Sequence, residues 1–160
     1  MVSERLRDML VRQIASEVTA HAHYMAISIY FRQISLDRWA ELFHKQSVEE
    51  AGHAQKIMDF LIDNNIEFDL PGIPAQRTRF ESALAACRSA LQSEQRVSGQ
   101  FQEMAVAATE EKDFRTFQFL QWFISEQVEE ESKMQKLIDL IESGVNLFQI
   151  QPGLDEYDTE

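Results

Sequence analysis

Apolar residues recur at alternating spacings of three and four along four long stretches of the chain. This spacing places them on one face of an α-helix, so the sequence predicts four helices of about 28 residues, each roughly 42 Å long. A mean globular helix has only about 12 residues, so these lengths are typical of a helical bundle. The predicted helices run from Glu4 to Gln33, Asp37 to Asn64, Ser82 to Glu111 and Phe114 to Ser143.

The breaks between these stretches indicate how the helices are connected. Only Ile34 to Leu36 separate the first two helices, and only Lys112 and Asp113 separate the last two, so each pair is predicted to be antiparallel. Asn65 to Glu81 is longer, and extended chain of this length spans about 50 Å. We therefore predict an all-α four-helix bundle with one long crossover between helices two and three over residues 1–144. A short C-terminal helix or tail follows over residues 145–160.

Polar residues interrupt each apolar face near its middle. They are Glu17 on the first helix, Glu50 and His53 on the second, Glu94 on the third, and Gln127 and Glu130 on the fourth. In an antiparallel bundle of equal helices these positions share one level. No Lys or Arg occupies the core-facing positions, so shared protons or bound metal must offset the cost of burying four carboxylates. Two divalent ions would balance four carboxylates, and one imidazole among them favours iron or manganese.

The spacing of these residues repeats between the two halves of the chain. Glu50 and His53 follow Glu17 by 33 and 36 residues, and two polar residues follow Glu94 at the same intervals. The first half carries the Glu-x-x-His motif of di-iron bundles, but the second half ends in Glu130 where that motif has histidine. The sequence therefore predicts two unequal metal positions.

Composition restricts the class of partner. The 160 residues are 44% hydrophobic, enough for a sizeable core, and carry a net charge of -12. This charge argues against nucleic acid or anionic lipid as the main partner and favours cations. The single cysteine, Cys87, cannot form an intramolecular disulfide, and the chain contains no signal-peptide or membrane-spanning run. These features together predict a cytoplasmic protein.

Two stretches resemble the non-haem bacterial ferritins. They are the EEAGH run at residues 49–53 and the FLQWFISEQVEEE run at residues 119–131, with Glu17, Tyr24 and Glu94 at family-like positions. The similarity extends over residues 1 to about 150. It implies a homo-oligomeric hollow shell of 24 subunits that oxidises Fe(II) with O2 or H2O2 and stores it as a ferric mineral.

The resemblance also implies a role for each site residue. Each chain would act as a ferroxidase with a first iron on Glu17, Glu50 and His53, and a second on Glu94 and Glu130, with Gln127 beside it and Glu50 as the bridge. A third iron site would be formed by Glu49, Glu126 and Glu129, which share Glu130. The tyrosine Tyr24 either packs in the core or hydrogen-bonds a ligand, and His21 is either a solvated or interface residue or a peripheral ligand.

Two departures from related proteins change what is expected. The helix-two motif offers no methionine thioether, since Gly52 stands directly before His53, so no haem is expected. Members of the family usually carry a short fifth helix that lines a four-fold pore, but Pro152 and Gly153 are expected to stop such a helix early.

Three other functions fit parts of the pattern. A di-iron oxidase for an organic substrate would need a pocket, yet Phe43, Phe101 and Phe123 leave little room and the second Glu-x-x-His motif is missing. A twelve-subunit mini-ferritin would hold iron between subunits, which disagrees with carboxylates at Glu94 and Glu130. A purely structural bundle would have no reason to keep carboxylates facing its core.

Overall fold

The computed structural model describes residues 1–158, which form four long α-helices and one short 3₁₀ helix. The helices are α1 (Glu4–Gln33), α2 (Asp37–Asp63), α3 (Ala83–Glu110) and α4 (Phe114–Glu142), followed by the 3₁₀ helix Gln151–Tyr157. Each end of α1 to α4 agrees with the predicted one to within a residue, which confirms the all-α bundle. None of the helices in the described range is long and apolar enough to cross a membrane.

The helix ends explain why the boundaries were readable. The side chains of Ser3, Ser82 and Asp113 accept hydrogen bonds from backbone N–H groups in the first turns of α1, α3 and α4. Just beyond each helix, one residue takes the left-handed backbone conformation that turns the chain out of the helix. These residues are Ser35, Asn65, Lys112 and Gly144.

Contacts between helices define their directions. α1 packs against α2 and α3, and α3 packs against α4. Arg5 lies beside Glu110 at one end of the α1–α3 pair and Tyr24 lies beside Glu94 near its middle, so these helices run antiparallel. Since the short turn makes α2 antiparallel to α1 as well, α2 and α3 are parallel. The extended segment between them must therefore cross the length of the bundle, as predicted.

The core consists of two apolar clusters. One contains Tyr24, Phe31, Trp39, Phe43 and Leu137, and the other contains Leu6, Ile14, Ile57, Phe101 and Phe123. The stacked rings of Phe31 and Phe43 lie 5.3 Å apart in the first cluster, and those of Phe101 and Phe123 lie 4.7 Å apart in the second. The buried carboxylates lie at the level between the two clusters, so apolar packing on both sides fixes their depth.

The C-terminal segment folds back onto the bundle. Leu154 of the 3₁₀ helix is 2% exposed and belongs to the apolar cluster around Trp39, whose indole N–H donates to the Leu147 carbonyl over 3.0 Å. Pro152 lies in the first turn of this seven-residue helix, where its missing N–H is not needed. The last two residues of the predicted 145–160 segment, 159 and 160, lie outside the described residues.

Candidate metal centre

Four helices contribute to one buried polar layer. Six predicted residues lie in it, each at most 4% exposed: Glu17, Glu50, His53, Glu94, Gln127 and Glu130. A carboxylate removed from water to this degree needs a cation, a proton or strong hydrogen bonds. The arrangement of these side chains is therefore the main chemical feature of the molecule.

One group of donor atoms combines α1 with α2. Ligand atoms of Glu17, Glu50 and His53 lie within 4.8 Å of one another. His53 Nδ1 is 3.0 Å from Glu50 Oε2 and 3.6 Å from Glu17 Oε2. The edges of the Trp122 and Phe123 rings meet the imidazole nearly at right angles, which restricts its orientation.

A second group spans α2, α3 and α4. Ligand atoms of Glu50, Glu94 and Glu130 also lie within 4.8 Å of one another, so Glu50 belongs to both groups. The Tyr24 hydroxyl donates to Glu94 Oε1 over 2.6 Å, and Gln127 Nε2 donates to Glu94 Oε2 over 3.0 Å. Tyr24 thus both packs in the core and orients a carboxylate of the site.

The protein alone does not neutralise these carboxylates. Burial, followed by the negative charge of Glu50, raises the pKa of Glu94 to about 8. Burial and the charges of Glu50 and Glu94 raise the pKa of Glu130 to about 9. Glu17 Oε2 is buried and has no hydrogen-bond partner. A divalent cation would relieve both the crowding of like charges and the unpaired oxygen, so this donor set fits a metal ion.

The imidazole of His53 responds to the same negative field. Burial acts to lower the pKa of His53, but the carboxylates of Glu17 and Glu50 outweigh it and raise the pKa to about 11. Without metal, the proton on His53 offsets part of the surrounding charge. Because a metal ligand must be the neutral imidazole, metal binding at His53 has to displace this proton.

The three residues of the predicted third iron site lie in different settings. Glu126 shares a donor group with His53 and Glu130, all within 4.8 Å. Glu49 is half-buried, and burial raises the pKa of its carboxyl. Glu129 is exposed and belongs to none of the donor groups found among residues 1–158. The structure therefore brings Glu49 and Glu126 to the edge of the buried layer, whereas Glu129 lies outside it.

Sequence reasoning missed three residues that support the site. Gln13 donates to Glu17 Oε1 over 3.0 Å, and Gln46 lies between carboxylates of α2 and α4. The ammonium of Lys133, a side chain only 6% exposed, donates to Gln46 Oε1 over 3.0 Å. No cation was found at the core-facing positions of the sequence because Lys133 stands one residue before such a position, Met134. Its spacing of three residues from Glu130 was the available signal, since that spacing puts both on one helix face.

The space around the site is mostly filled. The rings of Tyr24, Phe43, Phe101 and Phe123 are at most 1% exposed. A hollow of about 580 Å³ opens at the surface between α2 and α4, where His53, Glu49 and Glu126 contribute to its wall. The buried polar layer therefore lies inside the bundle, with this hollow next to its α2–α4 side.

The histidine considered as a peripheral ligand has another partner. His21 Nδ1 lies 2.7 Å from the carbonyl oxygen of Ser47. His21 belongs to none of the donor groups found in the described part of the chain. This contact ties α1 to α2 next to the polar layer.

Comparison with known proteins gives a consistent family match. The model of the ferritin-like domain matches residues 7–143. Ferritin BfrB of Mycobacterium tuberculosis is 35% identical over 144 residues, which are 89% of this chain and 80% of that protein. The bacterial non-heme ferritin of Staphylococcus aureus is 31% identical, with both chains covered over 100% of their length.

Solved structures give the same result for the fold. A structure of an open pore ferritin from the hyperthermophilic archaeon Archaeoglobus fulgidus superposes with a TM-score of 0.92 at 29% sequence identity. The match covers 99% of this chain and 98% of that one. The agreement therefore includes the C-terminal segment as well as the four helices.

Proposed function

Because this chain belongs to the ferritin family, we propose that it stores iron and oxidises Fe(II) at a two-iron ferroxidase centre within each subunit. The observation that carries the proposal is the sharing of Glu50 by two groups of three buried ligands. A shared carboxylate is the feature that allows two metal ions to be held side by side. An acidic surface on an unrelated bundle would not place one buried carboxylate between two groups of ligands.

Each buried residue then has a defined task. Glu17 and His53 bind the first iron, Glu94 and Glu130 bind the second, and Glu50 bridges them. Tyr24 and Gln127 hold Glu94 in place through its two oxygens. Gln127 and Glu130 stand where a symmetric centre would have a second bridging glutamate and a second histidine, so the site keeps four carboxylates but only Glu50 is shared between the two irons.

The chemistry follows from the ligands. Two Fe(II) ions supply two electrons, which with two protons reduce one O2 to H2O2 or one H2O2 to two waters. Carboxylate oxygen stabilises the more highly charged Fe(III) product over Fe(II). The apolar clusters on both sides of the layer restrict access to the pair, so iron and oxidant approach from the hollow between α2 and α4.

Storage requires an enclosed volume that a single bundle lacks. We infer that the chain assembles into a hollow homo-oligomer, and the resemblance to ferritins points to 24 subunits. Glu49 and Glu126 form an acidic edge beside the site, with Glu129 exposed further out. We propose that this edge gives a third, weaker iron position through which iron passes on its way to or from the pair.

Aerobic loading with Fe(II) tests the proposal. Metal-free protein should oxidise about two Fe(II) ions per chain within seconds, then retain much more iron in a particle of roughly 450 kDa, given 18.6 kDa per chain. Stopped-flow absorbance measures the oxidation, and native mass measurement before and after loading measures the particle. Oxidation no faster than in protein-free buffer would reject the ferroxidase, and a small particle without retained iron would reject storage.

A further inference from the structure

Lys133 is a buried cation beside the acidic layer. Its side chain on α4 is 6% exposed, and its ammonium donates to Gln46 Oε1 on α2 over 3.0 Å. Among residues 1–158, no carboxylate oxygen lies within 4.0 Å of this ammonium. A buried ammonium without an ion-pair partner is costly, so its position indicates a field of negative charge strong enough to hold it there.

The contact with Lys133 fixes the orientation of the Gln46 amide. Because its oxygen accepts from the ammonium, its NH2 group points the other way. That group donates to Glu50 Oε1 over 3.1 Å and to Glu130 Oε2 over 2.5 Å. The same amide therefore restrains two ligand carboxylates from different helices before any metal binds.

The positive charge of Lys133 lies close to the edge of the site. The Gln46 amide links the ammonium to Glu130, and Glu130 belongs with His53 and Glu126 to the donor group at this edge. Glu49 lines the same hollow as Glu126 and His53. The ammonium is thus placed where a third cation would be attracted, yet it contacts the amide of Gln46 and leaves the ligand oxygens to iron.

We propose that Lys133 limits the acidic cluster to two tightly bound metal ions by supplying a resident positive charge in place of a third. This inference rests on the two-iron centre proposed above and adds a reason for the weakness of the edge position. A metal ion bound next to Glu49 would lie near the ammonium of Lys133. Repulsion between these two positive charges lowers the affinity for the metal ion, because a buried site is poorly screened. Iron reaching the edge is consequently released rather than retained.

Zinc binding to metal-free protein tests the inference without any redox step. Titration calorimetry should give two tight Zn2+ ions per chain for the natural protein. In Lys133→Met and Lys133→Gln, the affinity for a third Zn2+ should rise at least about tenfold. The glutamine variant keeps an N–H donor but loses the charge, so it separates the charge of Lys133 from its capacity to donate a hydrogen bond. A gain in the methionine variant alone would assign the effect to positioning and overturn the proposal.

Matched variants complete the test. Lys136→Met removes an exposed lysine one turn further along α4 and should leave the third ion weak. Adding Glu49→Gln to Lys133→Gln should remove the third ion again. A lower melting temperature with unchanged zinc stoichiometry in both Lys133 variants would mean that Lys133 is only structural. Absence of two tight ions in the natural protein would instead reject the two-metal centre itself.

Discussion

Both carboxylate oxygens of Glu50 are used within the centre. Oε1 accepts from Gln46, Oε2 lies 3.0 Å from His53, and the carboxylate belongs to both donor groups. Burial raises the pKa of this carboxyl. Without metal, the carboxylate of Glu50 therefore adds like-charge repulsion to the bundle. We expect it to stabilise the protein only when metal is bound.

Replacing Glu50 by alanine tests this distinction. We expect Glu50→Ala to lose fast Fe(II) oxidation by at least about a hundredfold, because both irons lose a shared ligand. Helix content and particle size should be unchanged, since removal of a buried carboxylate takes away repulsion along with volume. Stopped-flow absorbance, circular dichroism and native mass measure these three quantities.

An exposed glutamate provides the control for this variant. Glu103 lies on α3 at the surface, and Glu103→Ala should oxidise iron at the natural rate. Natural rates in both variants would show that oxidation takes place elsewhere in the protein.

The residues of the site differed in how visible they were in the sequence. Carboxylates such as Glu17 and Glu94 stood out because each interrupts an apolar face, where burying a charge is unfavourable unless a partner offsets it. Lys133 did not, because it precedes the core-facing Met134 and a lysine there ordinarily extends into water. Only the structure shows that its long side chain turns inward to reach Gln46.

At the scale of elements, helix boundaries were predictable because local chemistry sets them. Ser3 and Ser82 cap helices directly, and Gly144 takes the left-handed conformation beyond α4 without steric cost. The C-terminal segment was harder, because its shape depends on a tertiary contact. Leu154 finds a place in the Trp39 cluster, and no periodic pattern in seven residues reveals such docking.

Leu154 should therefore carry much of the attachment of this segment. Leu154→Ala creates a cavity in a nearly closed site and should cost about 2 kcal/mol. In a chain of this size that loss lowers the melting temperature by roughly 4–8 °C. Scanning calorimetry on metal-free protein measures the shift.

A leucine in the crossover serves as the comparison. Leu70 is 70% exposed, so Leu70→Ala should change the melting temperature by no more than about 1 °C. Equal effects of the two substitutions would show that the 3₁₀ helix contributes little to stability.

For the whole molecule, the buried polar layer lowers the stability of the metal-free bundle and provides the ligands for metal. Two apolar clusters hold four carboxylates at one level, and packing around them prevents escape to water. The pKa values of Glu94 and Glu130 show that, without metal, protons take the place of cations. The stability of the empty bundle is therefore linked to pH through its functional site.

The sign of this linkage follows from the direction of the pKa shifts. Glu94 and Glu130 bind protons more tightly in the folded protein, at pKa values of about 8 and 9 against an ordinary 4.5. Unfolding near neutral pH therefore releases protons, and the stability that these groups contribute at low pH is lost as pH rises from about 5 to 9. His53, with a pKa of about 11 against 6.5, acts in the same direction above pH 6.5.

The melting temperature of metal-free protein should accordingly fall by at least about 5 °C between pH 5.5 and pH 9. Glu130→Gln should flatten this profile, because an amide replaces a carboxyl that must lose its proton. Saturating Zn2+ should raise the melting temperature most at high pH, where its ligands are already deprotonated. Calorimetric scans across this pH range, with and without zinc, measure all three effects. A metal-free profile that rises with pH, or an equal zinc effect at every pH, would contradict the assignment of these protons to the metal site.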